Sequence, residues 1–310
     1  MRVAGIDCGT NSVRLLVIEG NGAEPVELRR ELRMVRLGQG VDATGEFHPD
    51  ALARTFAAVD EYAAMLSELG VERVRFAATS AARDVSNRAE FAAGIRDRLG
   101  VEPEILAGTT EAELSYRAAV AAVGPIGEPV LVTDVGGGSS ELVVGADGTM
   151  LSARSLDVGA VRLRERFLTD DPPTPAQVAE ATAAVDALLD AVDLGPVRGW
   201  IGVAGTITSI MAVHQGLTEY DRTRIHGAWI GLGALHEITS WMARATVAEL
   251  MALGPINPKR CEVIGGGALI VDRIAARLAV DELVVSEADI LDGLARSLLT
   301  DGDYSAGLLN

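Results

Sequence analysis

The chain has 310 residues, of which 48% are hydrophobic and 23% charged, proportions that exclude a disordered or low-complexity protein. Its formal net charge of -17, from 27 basic and 44 acidic residues, excludes a broad basic face, so neither nucleic acid nor a membrane surface is expected as a partner. An anionic ligand must then be held locally, and every basic residue except Lys259 is an arginine, the side chain suited to bidentate phosphate contacts.

The first apolar run, Val3 to Ile6, meets Asp7 too early to be a secretory signal. Gly9-Thr10-Asn11-Ser12 and a second apolar run, Val13 to Val17, then read as turn and strand, with a further turn at Gly20-Asn21-Gly22. Pro49 to Leu69 carries Leu52, Phe56, Val59, Ala63 and Leu66 at spacings of four and three, with Gly70 where a C-terminal cap belongs, which predicts a helix with one face on a sheet. Val74 to Ala78 reads as a strand, and a short helix after Asn87 carries Phe91, Ile95 and Leu99 and stops at Gly100. Gly108-Thr109-Thr110-Glu111 opens a helix toward Ala122. Pro129 to Thr133 is a strand, followed by Gly136 to Ser140, a second outgoing strand and a turn at Asp147-Gly148. Asp171 to Pro175 is a rigid turn that caps the next helix through Thr174 with Pro175 at its first position, and Thr246 with Glu249 form a capping box. The uncharged run from Gly199 to Thr218 is rich in Gly, Thr and Ser; it is read as a buried strand and turn, not a membrane span.

An internal echo at an offset of 127 residues organises the chain: Asp7 falls on Asp134, Gly9 on Gly136 and Ser12 on Ser139. Two strand-turn-strand units in one register predict a duplicated α/β protein, divided at about 1–120 and 121–310, with mixed sheets. Cys8 and Cys261 are too few for a disulfide framework, so a reduced, cytoplasmic chain is expected.

Glycine-rich turns let backbone N–H groups converge on an anion. Gly136, Gly137, Gly138 and Ser139 form one candidate phosphate turn, with Ser139 and Ser140 adding hydroxyls; Asn11 and Ser12 belong to a second, and Gly205 and Thr206 to a third. The position seven after the aspartate is Arg14 in the first hairpin and Glu141 in the second. Asp134 and Glu141 thus put two carboxylates beside a phosphate turn, an arrangement that would repel phosphate without a hard cation, so Mg2+ is expected. Arg83, in a small-residue segment, can serve as a phosphate fork or pair with Asp84. Glu111 by itself reads as an ordinary first-turn carboxylate. His48, His214, His226 and His236 have no metal-binding spacing, and no His–Asp pair appears.

Five segments in order carry a resemblance: Ile6 to Ser12, Ala78 to Asp84, Gly108 to Ala112, Asp134 to Leu142, and Gly202 to Thr206. Together they resemble the motifs of the exopolyphosphatase and guanosine pentaphosphate phosphohydrolase family, in its short two-domain form. The resemblance implies two duplicated ribonuclease-H-like domains of the actin, sugar kinase and chaperone ATPase superfamily, with an interdomain cleft. It further implies Glu111 as catalytic base, with Thr110 where many members have a second glutamate and Glu113 as the competing carboxylate. Asp134 and Glu141 become magnesium ligands, and Asn11, Ser12, Arg83 and Gly137 to Ser139 phosphate contacts. The expected activity is magnesium-dependent removal of terminal phosphate from inorganic polyphosphate, with guanosine pentaphosphate or tetraphosphate as a further ligand and a homodimer as the assembly. The rivals are a superfamily kinase using ATP and a small acceptor, and a non-catalytic alarmone-binding sensor.

Overall fold

The computed structural model of the chain describes residues 1–20, 25–83 and 85–299. Asn21 and Gly22 of the expected turn, and Asp84, lie outside the described residues. The chain divides into two compact units, Met1–Ala107 with Ile290–Asn310, and Gly108–Asp289.

The first unit runs β1 (Arg2–Cys8), β2 (Ser12–Glu19), β3 (Val26–Met34), α1 (Val41–Thr44), α2 (Pro49–Glu68), β4 (Arg73–Ala78), α3 (Ser80–Arg83), α4 (Arg88–Leu99) and β5 (Glu104–Ile105). Its sheet has the order β3-β2-β1-β4-β5, antiparallel across β1, β2 and β3 and parallel from β1 to β4 to β5. The second runs α5 (Gly108–Val123), β6 (Val130–Val135), β7 (Ser140–Ala146), β8 (Thr149–Leu156), α6 (Ala160–Arg166), α7 (Pro175–Leu189), β9 (Gly199–Val203), α8 (Ala204–His214), α9 (Arg222–Ile225), β10 (Trp229–Gly231), α10 (Leu232–Met242), α11 (Val247–Ala252), α12 (Pro258–Cys261), α13 (Ile264–Ala275) and β11 (Glu282–Val285). Its sheet, β10-β11-β9-β6-β7-β8, repeats the first order and relative directions from β8 to β11 and adds β10 at the far edge. The echo is therefore a duplication of topology, and the expected α/β fold class holds.

The expected helices form where their caps stand. Gly70 and Gly100 adopt φ of 62° and 69° after α2 and α4, and Thr174 and Thr246 both close capping boxes. Leu52, Val59 and Leu66 of α2 are buried against Val13, Leu15 and Phe76 in one core. In the second unit, Ala112, Tyr116 and Ala119 of α5 cover Val130, Val132 and Val143, while α7, α8 and α13 bury Val185, Ile207 and Ile270 in the larger core that includes Trp200.

Two expectations differ from the structure. The division at 120/121 cuts through α5, whose apolar face belongs to the second sheet, and the last helix, α14 (Ile290–Ser297), joins the first unit instead of the second. Leu291 and Ala295 of α14 are buried with Val3, Leu16 and Ile18, the strand face that α2 leaves uncovered. Gly5 permits the approach, since a Cβ there would stand 2.8 Å from the Ala295 nitrogen. Arg30 binds Asp292 at 2.7 Å, and Arg75 donates to Ser297 Oγ at 2.8 Å. The second difference is the run from Gly199 to Thr218, in which β9 passes directly into helix α8 with no intervening turn. Among the described residues no helix is long and apolar enough to cross a membrane. Both cysteines are free and buried, and burial together with neighbouring Asp7 pushes the Cys8 thiol up.

Candidate active site

In the second unit the register of β6 and β7 sets Asp134 directly opposite Glu141, so both carboxylates lie on one face of the sheet, 7% and 2% exposed. Like charges opposite each other destabilise a strand pair, so the site spends stability to keep both groups. Each has a hydroxyl neighbour: Ser115 Oγ donates to Asp134 Oδ2 at 3.3 Å, and Ser155 Oγ donates to Glu141 Oε1 at 2.8 Å. Ser155 reaches Glu141 because the β7–β8 ladder shifts register between Val144 and Gly145; a regular hairpin closing at Asp147-Gly148 would have put Arg154 there.

Glu111 is buried in the first turn of α5, one helical turn before Ser115. Residues four apart share a helix face, so Glu111 and the hydroxyl that binds Asp134 are neighbours on the side of α5 that meets the sheet. Glu113 lies off that face and is paired with Arg117 at 2.6 Å.

The turn between β6 and β7 is held from outside. Gly136 N donates to Ser139 O at 3.1 Å, while the carbonyls of Gly136 and Gly137 accept from Ala160 N at 2.9 Å and Val161 N at 2.8 Å, and that of Gly138 from Arg162 Nε at 3.0 Å. In a planar trans peptide the following N–H points opposite the carbonyl. With three carbonyls turned toward α6, the amides of Gly137, Gly138 and Ser139 face the other way together, the geometry of an anion cradle. The expected second hydroxyl is not part of it: Ser140 Oγ donates to Val158 O at 2.6 Å.

In the first unit the same turn recurs with Gly9 N donating to Ser12 O at 2.9 Å. The Thr10 carbonyl accepts from Gly38 N at 2.9 Å, and that of Asn11 from Val35 N at 3.0 Å and Arg36 N at 2.9 Å, so the amides of Asn11 and Ser12 also face one way. Thr10 Oγ1 is engaged with Ser80 Oγ at 2.9 Å. Asp7 is paired with Arg14 across the ladder at 2.6 Å. Arg83 ends α3, half-buried, with a 3.4 Å contact from its guanidinium to Leu106 O.

The third expected turn is a helix start. Gly205 lies in the first turn of α8, its Cα face covered by the Arg260 guanidinium, and Thr206 Oγ1 donates to Val135 O at 2.9 Å, which ties α8 to the end of β6. Both residues therefore lie in the first turn of a helix in place of an open turn. A His–Asp contact that no local spacing announced joins His236 Nδ1 to Asp272 Oδ1 at 2.6 Å between α10 and α13. Local spacing also gave no sign of Ser155, Gly159 or Arg162; Ser115 alone had one, its place four residues after Glu111.

Among the described residues no three His, Cys, Asp or Glu side chains form a metal-binding group. Two carboxylates with oxygen neighbours suit a hard cation that keeps water and substrate phosphate as its other ligands, so the residues present fit magnesium.

A model of the Ppx/GppA phosphatase family matches residues 16–301. This chain belongs to that family. It is 46% identical to Exopolyphosphatase 2 of Mycobacterium tuberculosis over 96% of this chain and 98% of that protein. The crystal structure of an exopolyphosphatase-like protein superposes with a TM-score of 0.91 at 41% identity, covering 96% of this chain and 97% of the other. The Aquifex aeolicus Ppx/GppA family member follows with a TM-score of 0.82 at 30% identity, over 96% and 97% of the two chains. The chain is accordingly a phosphatase, a hydrolase on a duplicated α/β fold.

Proposed function

We propose that this phosphatase is a magnesium-dependent exopolyphosphatase that releases the terminal phosphate of inorganic polyphosphate. The observation that carries the reading is the buried Asp134–Glu141 pair beside three amides facing one way, with Glu111 on the adjoining helix face. The exopolyphosphatase name of the Mycobacterium tuberculosis relative supports polyphosphate as the substrate class.

Water is the nucleophile in this reading. Glu111 orients it and accepts its proton as the oxygen attacks the terminal phosphorus and the bridging P–O bond breaks, its electron pair leaving on the terminal oxygen of the shortened polyphosphate; the base role contributes roughly 10²- to 10⁴-fold. The amides of Gly137, Gly138 and Ser139 hold the phosphoryl oxygens on which charge accumulates. Asn11, Ser12 and Arg83 are the phosphate contacts proposed for the first unit; Arg83 is suited to a fork of two hydrogen bonds. Magnesium bound by Asp134 and Glu141 supplies neutralisation of the phosphate charge. The Thr206 hydroxyl fixes α8 on β6, and in this reading the backbone amides of Gly205 and Thr206 in the first turn of α8 are further phosphate contacts.

The deciding assay measures orthophosphate release from polyphosphates of defined length and from guanosine pentaphosphate, with and without magnesium, and phosphate transfer from ATP to a panel of acceptors. Magnesium-dependent release from polyphosphate, lost in Glu111→Gln, supports the reading. Transfer from ATP to an acceptor without polyphosphate hydrolysis sinks it, and tight alarmone binding with no turnover of any substrate would make the protein a sensor.

A further inference from the structure

The phosphate turn does not hold its own shape. Glycines place no side chain against the backbone and allow either peptide orientation, so the direction of each amide in Gly136-Gly137-Gly138 depends on what its preceding carbonyl binds. The start of α6 engages all three carbonyls: Ala160 N with Gly136 O, Val161 N and Arg162 N with Gly137 O at 2.8 and 3.2 Å, and Arg162 Nε with Gly138 O at 3.0 Å. The fit is close, since a Cβ at Gly159 would stand 2.5 Å from the Gly137 carbonyl carbon. Of these holds only the last comes from a side chain, and it governs the amide of Ser139. If that peptide turned over, a carbonyl would replace the N–H, so an acceptor would face the phosphate where a donor belongs.

We propose that Arg162 is a positioning residue that, through its Nε–H on the Gly138 carbonyl, keeps the Ser139 amide pointed at the phosphate of the substrate. The proposal rests on the phosphate-binding role assigned above to this turn. It assigns Arg162 a donor in a defined place, and the charge of the guanidinium is secondary.

Three substitutions separate donor from charge. In Arg162→Gln the amide nitrogen sits on Cδ, as Nε does in arginine, so a donor is retained and the charge lost. Arg162→Lys keeps the charge but puts a methylene where the donor stood, and Arg162→Met keeps neither. Orthophosphate affinity, measured by calorimetry on the full chain without turnover, is expected to fall in the order wild type, Gln, then Lys and Met together. The last two should lie about tenfold below wild type, the scale of one hydrogen bond that serves a charged ligand. KM for polyphosphate should rise in the same order with a smaller change in kcat. Lys ahead of Gln would overturn the proposal and make Arg162 a direct cationic contact. In the wild type, amide resonances of Gly138 and Ser139 should be among those that move most on titration with orthophosphate; no movement overturns the proposal even where a variant fails to fold. Failure of the functional reading is distinguishable, because wild type would then bind orthophosphate at these amides yet release none from polyphosphate.

Discussion

At the same place in two hairpins, one ladder pairs Asp7 with Arg14 and the other Asp134 with Glu141. The scaffolds are otherwise alike: each turn closes with a glycine N–H on a serine carbonyl, at 2.9 and 3.1 Å, and in each the turn carbonyls are held by a segment that follows the hairpin's third strand. The electrostatics are opposite. The first hairpin neutralises its buried aspartate internally, whereas the second keeps two buried carboxylates near each other with Ser115 and Ser155 hydroxyls on them. The backbone is alike in both copies, and one cross-strand residue decides which ladder is neutralised and which holds two carboxylates.

The largest expected effect tests whether the second hairpin works with α5. Glu111→Gln should lower kcat for polyphosphate by roughly two to four powers of ten with little change in melting temperature, because it keeps the shape and removes the proton acceptor. A loss in Glu113→Gln with Glu111→Gln near wild type would reverse the assignment.

The contrast between the ladders is tested next. Arg14→Met leaves the Asp7 carboxylate, 4% exposed, deprived of its cation, and should cost about 3–5 kcal/mol of unfolding free energy while leaving the magnesium requirement alone. Asp134→Asn and Glu141→Gln should instead raise the magnesium concentration for half-maximal activity by about 10- to 100-fold or more, the range already seen for groups that only support metal ligands. Equal magnesium shifts from all three variants would show that the hairpins do not differ as described.

A finer test removes a supporting hydroxyl. Ser155→Ala takes the 2.8 Å donor from Glu141 and should weaken the magnesium response on the scale of about 1 kcal/mol. An unchanged magnesium titration would mean that the bulge in β7–β8 has no bearing on the site.

The smallest effect concerns the whole chain. At a net charge of -17, long-range repulsion of a polyanion is screened beyond about 8 Å at physiological ionic strength, so polyphosphate affinity should be flat or rise from low to moderate salt. A steep, monotonic fall would indicate many exposed cation contacts in place of a local site.

The sequence by itself determined the duplication, the two glycine turns and the carboxylate pair, because these are local. A strand, a turn and its return strand are written in consecutive residues, and an offset of seven across a closed turn places Asp134 opposite Glu141 without knowledge of the rest of the chain. The same locality made Pro49–Glu68 legible from its 3.6-residue periodicity and its terminal cap, and it placed Glu111 on a helix start. Glu111 acquired meaning only when α5 lay on β6 and brought Ser115 to Asp134. The run after Gly199 misled because Gly205, Thr206 and Thr208 resemble turn residues, while burial of Ile207, Ile210 and Met211 in the larger core makes them a helix. The return of α14 to the first sheet, the one-residue bulge that delivers Ser155, and the hold of Ala160 to Arg162 on the phosphate turn were decided by tertiary structure alone. Each joins residues whose meeting depends on which surfaces remain uncovered after the local elements have formed, and no periodicity or spacing in the chain records that.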